Sequence, residues 1–215
     1  MEPLEYIKKK YELGRYGESV PIILSKVFRI GMYELFNDLG YKIGCEVGVR
    51  EGRNAGEMIQ KIPGLMLYLV DPYKNHSSAR RKYSEKHYDR TQRRAHQRLD
   101  KLNVKFFEMF SEQAVEFVED NSLDFVYIDA DHDYDFAMQD IIIWSRKVRS
   151  GGIVSGHDYY LSRRHGHRGV THAVIDYSKM LYISPWFLTS SREEAKERNE
   201  YGLIDTLPSW FWVKP

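Results

Sequence analysis

FVYIDADHDYD, residues 125–135, begins as a run that a strand can bury on both faces and then sets four aspartates and a histidine close together. Side-chain bonds to a following turn use one or two such residues, so four exceed what capping requires. Outward from this stretch the same pattern repeats. KIGCEVGV (42–49), LMLYLVD (65–71), VKFFEMF (104–110), LDFVYID (123–129) and GGIVSGHD (151–158) are strand-like, and helix-like runs lie at about 52–62, 77–102, 111–120, 133–149 and 170–182. Short apolar strands alternating with helices predict a parallel sheet covered on both faces, hence an α/β, doubly wound fold. WFLTS (186–190) and SWFWVK (209–214) have no helix between them and read as an antiparallel pair at one edge, which brings the expected count to seven strands.

Residues 20–39 recur apolar at intervals of three and four and stop at Gly40, which predicts an amphipathic helix. No linker or repeat divides the chain. Its 215 residues suit one domain: an N-terminal helical extension over 1–40 and a core over 41–215. The single cysteine, Cys45, excludes an intrachain disulfide and a cysteine-only metal site. MEPLEYIKKKY lacks the apolar core of a signal peptide, so a cytoplasmic protein is expected. The net charge of +1 is unevenly spread: Arg80 to Arg98 holds eight Lys or Arg against two acids, an excess of six. Such a run is a solvated helix face or a surface for an anionic partner.

In doubly wound folds ligands bind outside the carboxyl ends of the strands. Here those ends read EVGVREG, VDPY, MFSE, IDADH and GHDYY, all polar or glycine-bearing just after apolar residues. Glu46-Val47-Gly48-Val49-Arg50-Glu51-Gly52 has glycines that allow close backbone approach at a helix N-terminus. Glu46 stands where the dinucleotide fingerprint has its first glycine. A carboxylate there repels a pyrophosphate and suits an ammonium. Asp71, 25 residues later and followed by Pro72, is placed to accept bonds from ribose hydroxyls, or to open an Asp-Pro turn. Together these ends favour a nucleoside that carries an amino group and no pyrophosphate.

From about residue 41 onward the chain resembles the class I S-adenosylmethionine-dependent methyltransferases. EVGVREGRN resembles their first motif, LVDPY their ribose motif, and FVYIDADHDY with GGIVSGHDYY their fourth and fifth strand ends. The closest likeness is to small metal-dependent O-methyltransferases of catechol and macrolide-sugar types. The resemblance implies a Rossmann-like sheet with an antiparallel last strand and helices on both faces. It also implies S-adenosylmethionine as cofactor, held by Glu46, Gly48, Val49, Gly52, Asn54, Asp71, Pro72, Ser111, Glu112 and Asp129. In that assignment Glu46 addresses the cofactor's amino group and Asn54 its carboxylate. Asp71 holds the ribose, and Ser111 and Glu112 border the adenine, with Ser111 also capping a helix.

The metal-dependent members hold a divalent cation, Mg or Mn, on carboxylates that correspond to Asp129, His157 and Asp158. His157 departs from the usual acid, and an imidazole biases the site toward manganese, iron or zinc, or toward no metal. His132 corresponds to a general base in the sugar-hydroxyl enzymes, so Asp129 and His132 are the expected catalytic pair; a helix-cap histidine is the plainer alternative. Asp133 or Asp135 is expected to cap the next helix, and Asp131 has no assignment. YYLSRRHGHRGV (159–170) is expected to border the acceptor, a polar, anionic small molecule or saccharide. Nucleic acid or protein nitrogen, a non-catalytic nucleoside-binding module, and homo-oligomeric assembly stay open as alternatives.

Overall fold

In the computed structural model residues 1–14, 20–76, 82–160, 168–190 and 207–215 are described. Helix α1 (Pro3–Lys10) precedes the short strand β1 (Ile22–Ile23) and α2 (Arg29–Asp38). The alternating core follows: β2 (Ile43–Val47), α3 (Arg53–Lys61), β3 (Met66–Val70), α4 (Glu85–Leu99), β4 (Val104–Phe107) and α5 (Ser111–Ala114) with a 3₁₀ turn at Val115–Phe117. Then come β5 (Leu123–Ile128), α6 (Tyr134–Ser145), β6 (Val148–Gly156), α7 (Gly169–Met180), β7 (Phe187–Leu188) and β8 (Trp210–Val213). One sheet of eight strands runs in the order β1-β7-β8-β6-β5-β2-β3-β4. Every pairing is parallel except those of β8, which lies antiparallel between β6 and β7. The α/β, doubly wound, Rossmann-like expectation therefore holds, with one strand more than the seven expected.

The extra strand corrects the reading of residues 20–39. Only Arg29–Asp38 is helical. Pro21 has no N–H to give a helix, and the segment finds partners elsewhere: Ile22 N–H donates to Trp186 O at 2.9 Å and Leu24 N–H to Leu188 O at 2.8 Å. The expected helix at 111–120 is likewise reduced to α5 and its 3₁₀ turn.

The period-2 alternation of β5 feeds both faces of the sheet. Val126 and Ile128 join Trp144, Trp210 and Trp212 on the face covered by α5, α6 and α7. Phe125 and Tyr127 join Phe36, Tyr33 and Phe211 on the face covered by α1 to α4. At the amino end of the sheet Asp124 accepts from Lys42 N–H at 2.6 Å, Ile43 N–H at 2.9 Å and Arg149 Nε at 2.8 Å. That end is closed by its own polar groups. Strand order reverses between β2 and β5, so the crevice lies where their carboxyl ends part. Among the described residues no helix is long and apolar enough to cross a membrane.

Candidate active site

Gly48 leaves β2 with φ +95°, and a Cβ built there would stand 2.1 Å from the Asp129 carbonyl oxygen. Only a residue without a side chain lets the ends of β2 and β5 press together in this way. Asp129 N–H donates to Val47 O at 2.7 Å, and Gly48 N–H donates to Val70 O at 2.8 Å. Gly52, also at positive φ, occupies the cap position of α3 and lies against Leu99 of α4.

Asp71 braces this turn from the end of β3. Its Oδ2 accepts from Val49 N–H at 3.1 Å and Arg50 N–H at 2.8 Å, and its Oδ1 accepts from Tyr73 N–H at 2.8 Å. Burial still raises its pKa, because desolvation outweighs the three N–H bonds. Pro72 follows, half-buried. Part of the basic run serves the same turn. Arg94 donates to Glu51 Oε1 at 2.5 Å and Arg98 donates to the Glu51 carbonyl, so two of its cations tie α4 to the β2–α3 turn. Arg80 and Arg81 lie outside the described residues, as does most of 159–170, namely 161–167.

Glu46 is buried at the end of β2, 1% exposed. Its Oε1 accepts from Asn54 Nδ2 at 2.8 Å, and Asn54 Oδ1 accepts from Tyr33 Oη at 2.5 Å. One N–H of the Asn54 amide thus orients Glu46 while its oxygen is held by Tyr33, and the second N–H of Nδ2 is the donor that the cofactor carboxylate expected there would use. Glu46 Oε2 is buried without a hydrogen-bond partner. Burial, with Asp129 adding to it, pushes the Glu46 carboxyl up to about 8 against the Asn54 bond.

Ser111 does not cap α5; Phe110 holds that position. The Ser111 hydroxyl instead donates to Asp140 Oδ1 and accepts from Trp144 Nε1 at 2.7 Å. Glu112 is exposed on the first turn of α5. Asp140, which sequence reasoning passed over as a polar residue of a helix, is buried on α6, and its carboxyl is pushed up to about 7, by burial first.

The acids of the opening stretch separate by role. Asp131 Oδ1 accepts from Asp133 N–H at 2.9 Å, a local turn that supplies the missing assignment. Asp133 takes the cap position of α6, and Asp135 lies in its first turn. His132 points away from the cap, with Nε2 2.7 Å from Asp158 Oδ2. Asp158, at φ +58° after β6, also approaches His157 Nδ1 at 3.3 Å through Oδ1. Burial pushes Asp158 up, but the two imidazoles outweigh it and hold the carboxyl below its usual range. The Asp158 bond raises His132 against the effect of burial. Burial lowers His157, and Asp158 and Asp129 more than reverse it. Burial pushes Asp129 up to about 6.

Asp129, His132 and Asp158 offer donor atoms within 4.8 Å of one another. His157, the imidazole expected as a ligand, touches this group through Asp158, and its Nε2 is buried without a partner. The four residues line a small cavity walled by Ile141, Val170 and Trp210. Two polar features of the site, Arg29 and Tyr33, escaped sequence reasoning because both sat unremarked in the expected helix at 20–39.

A doubly wound sheet with a reversed strand, a glycine turn at the switch point and acids at the next two strand ends defines a class I S-adenosylmethionine-dependent methyltransferase. The chain belongs to the family described as "Methyltransferase domain", whose profile matches residues 45–159, more than half of its length. No curated protein sequence matches it. Among solved structures, the chain resembles the O-methyltransferase TomG of Streptomyces achromogenes, solved with S-adenosylmethionine, at 13% identity and TM-score 0.58, over 100% of this chain and 91% of that one. It resembles an O-methyltransferase of Bacillus cereus solved with S-adenosylhomocysteine at 15% identity and TM-score 0.57, over 99% and 89%. The N-methyltransferase NodS of Bradyrhizobium japonicum shares the fold at 13% identity and TM-score 0.56, over 87% and 94%. At such identities the likeness is one of fold.

Proposed function

We propose that this enzyme transfers the methyl group of S-adenosylmethionine to a hydroxyl of a polar, anionic small molecule or saccharide. The observation that carries the reading is the His132–Asp158–His157 series beside Asp129 at the ends of β5 and β6. An alcohol attacks a sulfonium methyl well only as it loses its proton. With His132 Nε2–H donated to Asp158, the neutral ring keeps its lone pair on Nδ1, a base of fixed tautomer. In the in-line step the C–O bond forms as the C–S bond breaks. The hydroxyl proton passes to His132, and a neutral thioether leaves.

On this reading Glu46 faces the cofactor ammonium, and Gly48, Val49 and Gly52 form the turn beneath it. Asp71 and Pro72 lie beside the ribose, since Asp71 Oδ1, which accepts from one N–H only, retains acceptor capacity. Ser111 and Glu112 flank the adenine from α5. The O-methyltransferase neighbours support oxygen as the acceptor atom, while NodS shows that the fold also serves nitrogen.

Asp129, Asp158 and one imidazole also form a mixed oxygen and nitrogen donor set that fits a divalent cation of the manganese type. When bound, such an ion would lower the pKa of the acceptor hydroxyl. Enzyme of this kind would work in the cytoplasm, alone or as a homo-oligomer. The test is S-adenosylhomocysteine release from S-adenosylmethionine across anionic polyols, RNA and peptides, before and after chelation with elemental analysis. Turnover confined to RNA or peptide would sink the small-molecule reading. Full activity without bound metal would remove the cation and leave His132 as the base.

A further inference from the structure

Arg168 stands at the cap position of α7, and its side chain makes no capping bond there. Gly169 after it packs so closely on the β5–α6 turn that a Cβ would stand 2.2 Å from the His132 carbonyl oxygen and 2.5 Å from the Tyr134 nitrogen. Val170 then walls the cavity shared by Asp129, His132 and Asp158. From the other side Thr171 Oγ1 accepts from Tyr160 N–H at 2.8 Å, which ties the first turn of α7 to the chain just past Asp158. These contacts fix the backbone of residue 168 at the rim of the cavity.

Arg168 Nε is buried without a hydrogen-bond partner, an arrangement that costs stability unless something accepts from it. A guanidinium cannot escape that cost by losing its proton. The acids of the cavity do not serve it: Asp158 is engaged by His132 and His157, and among the described residues no carboxylate pairs with Arg168. Burial raises the pKa of Tyr159, the residue after Asp158, and the nearby Arg168 charge opposes that rise. We propose that Arg168 determines acceptor specificity by binding a carboxylate or phosphate group that the acceptor carries near the hydroxyl presented to His132. The proposal rests on reading this cavity as the acceptor site, and it gives the acceptor's negative charge a partner. A planar guanidinium holds such a group with paired N–H bonds, which sets the acceptor's orientation as well as its place. In-line transfer depends on that orientation.

Matched sugars test this: glucuronate against glucose, and glucose 6-phosphate against glucose. Each is titrated into the chain loaded with S-adenosylhomocysteine, while the Arg168 Nε–H resonance, identified by its loss in Arg168→Gln, is followed in parallel. The native chain is expected to prefer a charged sugar over glucose by about 10- to 100-fold, the range of a charge-assisted contact. The Nε–H resonance should shift with that sugar and stay in place with glucose. Which pair shows the preference tells carboxylate from phosphate. Arg168→Gln should cut the preference to about twofold or less and leave S-adenosylhomocysteine affinity unchanged; Arg168→Lys should restore part of it. Equal affinity of the native chain for charged and neutral sugars, or no binding of any of them, would overturn the proposal without need of a variant. So would a preference that survives Arg168→Gln, or a native resonance that does not move. A native chain that binds S-adenosylhomocysteine yet treats charged and neutral sugars alike refutes Arg168 alone, whereas failure to bind S-adenosylhomocysteine refutes the cofactor reading and the proposal with it.

Discussion

Burial favours the protonated form of Glu46, whereas the proposed contact with the cofactor ammonium calls for its carboxylate. Its carboxyl is raised from the ordinary 4.5 to about 8, chiefly by burial. Between those values the unfolded chain releases a proton that the folded chain keeps, so stability falls as pH rises across the window. Glu46→Gln is therefore expected to gain thermal stability over the native chain, and the gain should grow from pH 5 to pH 8.5 in melting curves. Saturating S-adenosylhomocysteine should cancel the gain, because its ammonium stabilises the native carboxylate alone. The His132 pKa is raised as well, and the readout there is the transfer rate. Asp158 raises the imidazole above its ordinary 6.5, so transfer should climb with pH along a limb lying above that value. His132→Ala should slow transfer by roughly 10²–10⁴-fold with cofactor affinity little changed. Asp158→Asn should move the limb to lower pH in a rate profile; an unmoved limb would separate the proton from this pair.

The β2–α3 turn is the element on which the cofactor reading depends, and two of its supports make distinct predictions. Gly48→Ala drives a Cβ into the Asp129 backbone at positive φ, and is expected to destabilise the fold by about 2 kcal/mol or more in urea titration. Asp71→Ala frees Val49 and Arg50 N–H, so their amide exchange should accelerate selectively even without ligand. Protection unchanged at both amides would mean that the turn holds itself. The turn, the strands and the acids at their ends were legible in the sequence because period and glycine spacing are local. What was not legible depends on distant partners. Ser111 looked like a cap, yet its hydroxyl is claimed by Asp140 and Trp144 across the layer. Asn54 was assigned to the cofactor, but its partner Tyr33 comes from α2 and was not legible beside it. Residues 20–24 had helical periodicity, and β7, more than a hundred residues on, drew two of them into the sheet.

Across the whole molecule, Trp210 joins the core to the chemistry. It is fully buried, stacks on Trp212 at 5.1 Å, walls the cavity and donates from Nε1 to the His157 carbonyl at 3.1 Å. Trp210→Ala should cost about 3–5 kcal/mol of stability and also lower turnover, measured below the new melting temperature, because His157 loses its backing. Intact turnover would show that the core and the strand end are mechanically separate. The reversed strand β8 has a consequence of another kind. It is the hinge pin between β6 on one side and the β7–β1 pair on the other, and it is supplied by residues 210–213. During synthesis, β1 emerges early and has no sheet to join until nearly the entire polypeptide has followed. Ser190 Oγ donating to Leu24 O, across 166 positions, belongs to the same late event. Nascent chains stopped short of Trp210 should therefore leave Ile22–Ile23 and Phe187–Leu188 open to protease while β2 to β6 are already protected, so that the sheet is finished only when the last strand slides home.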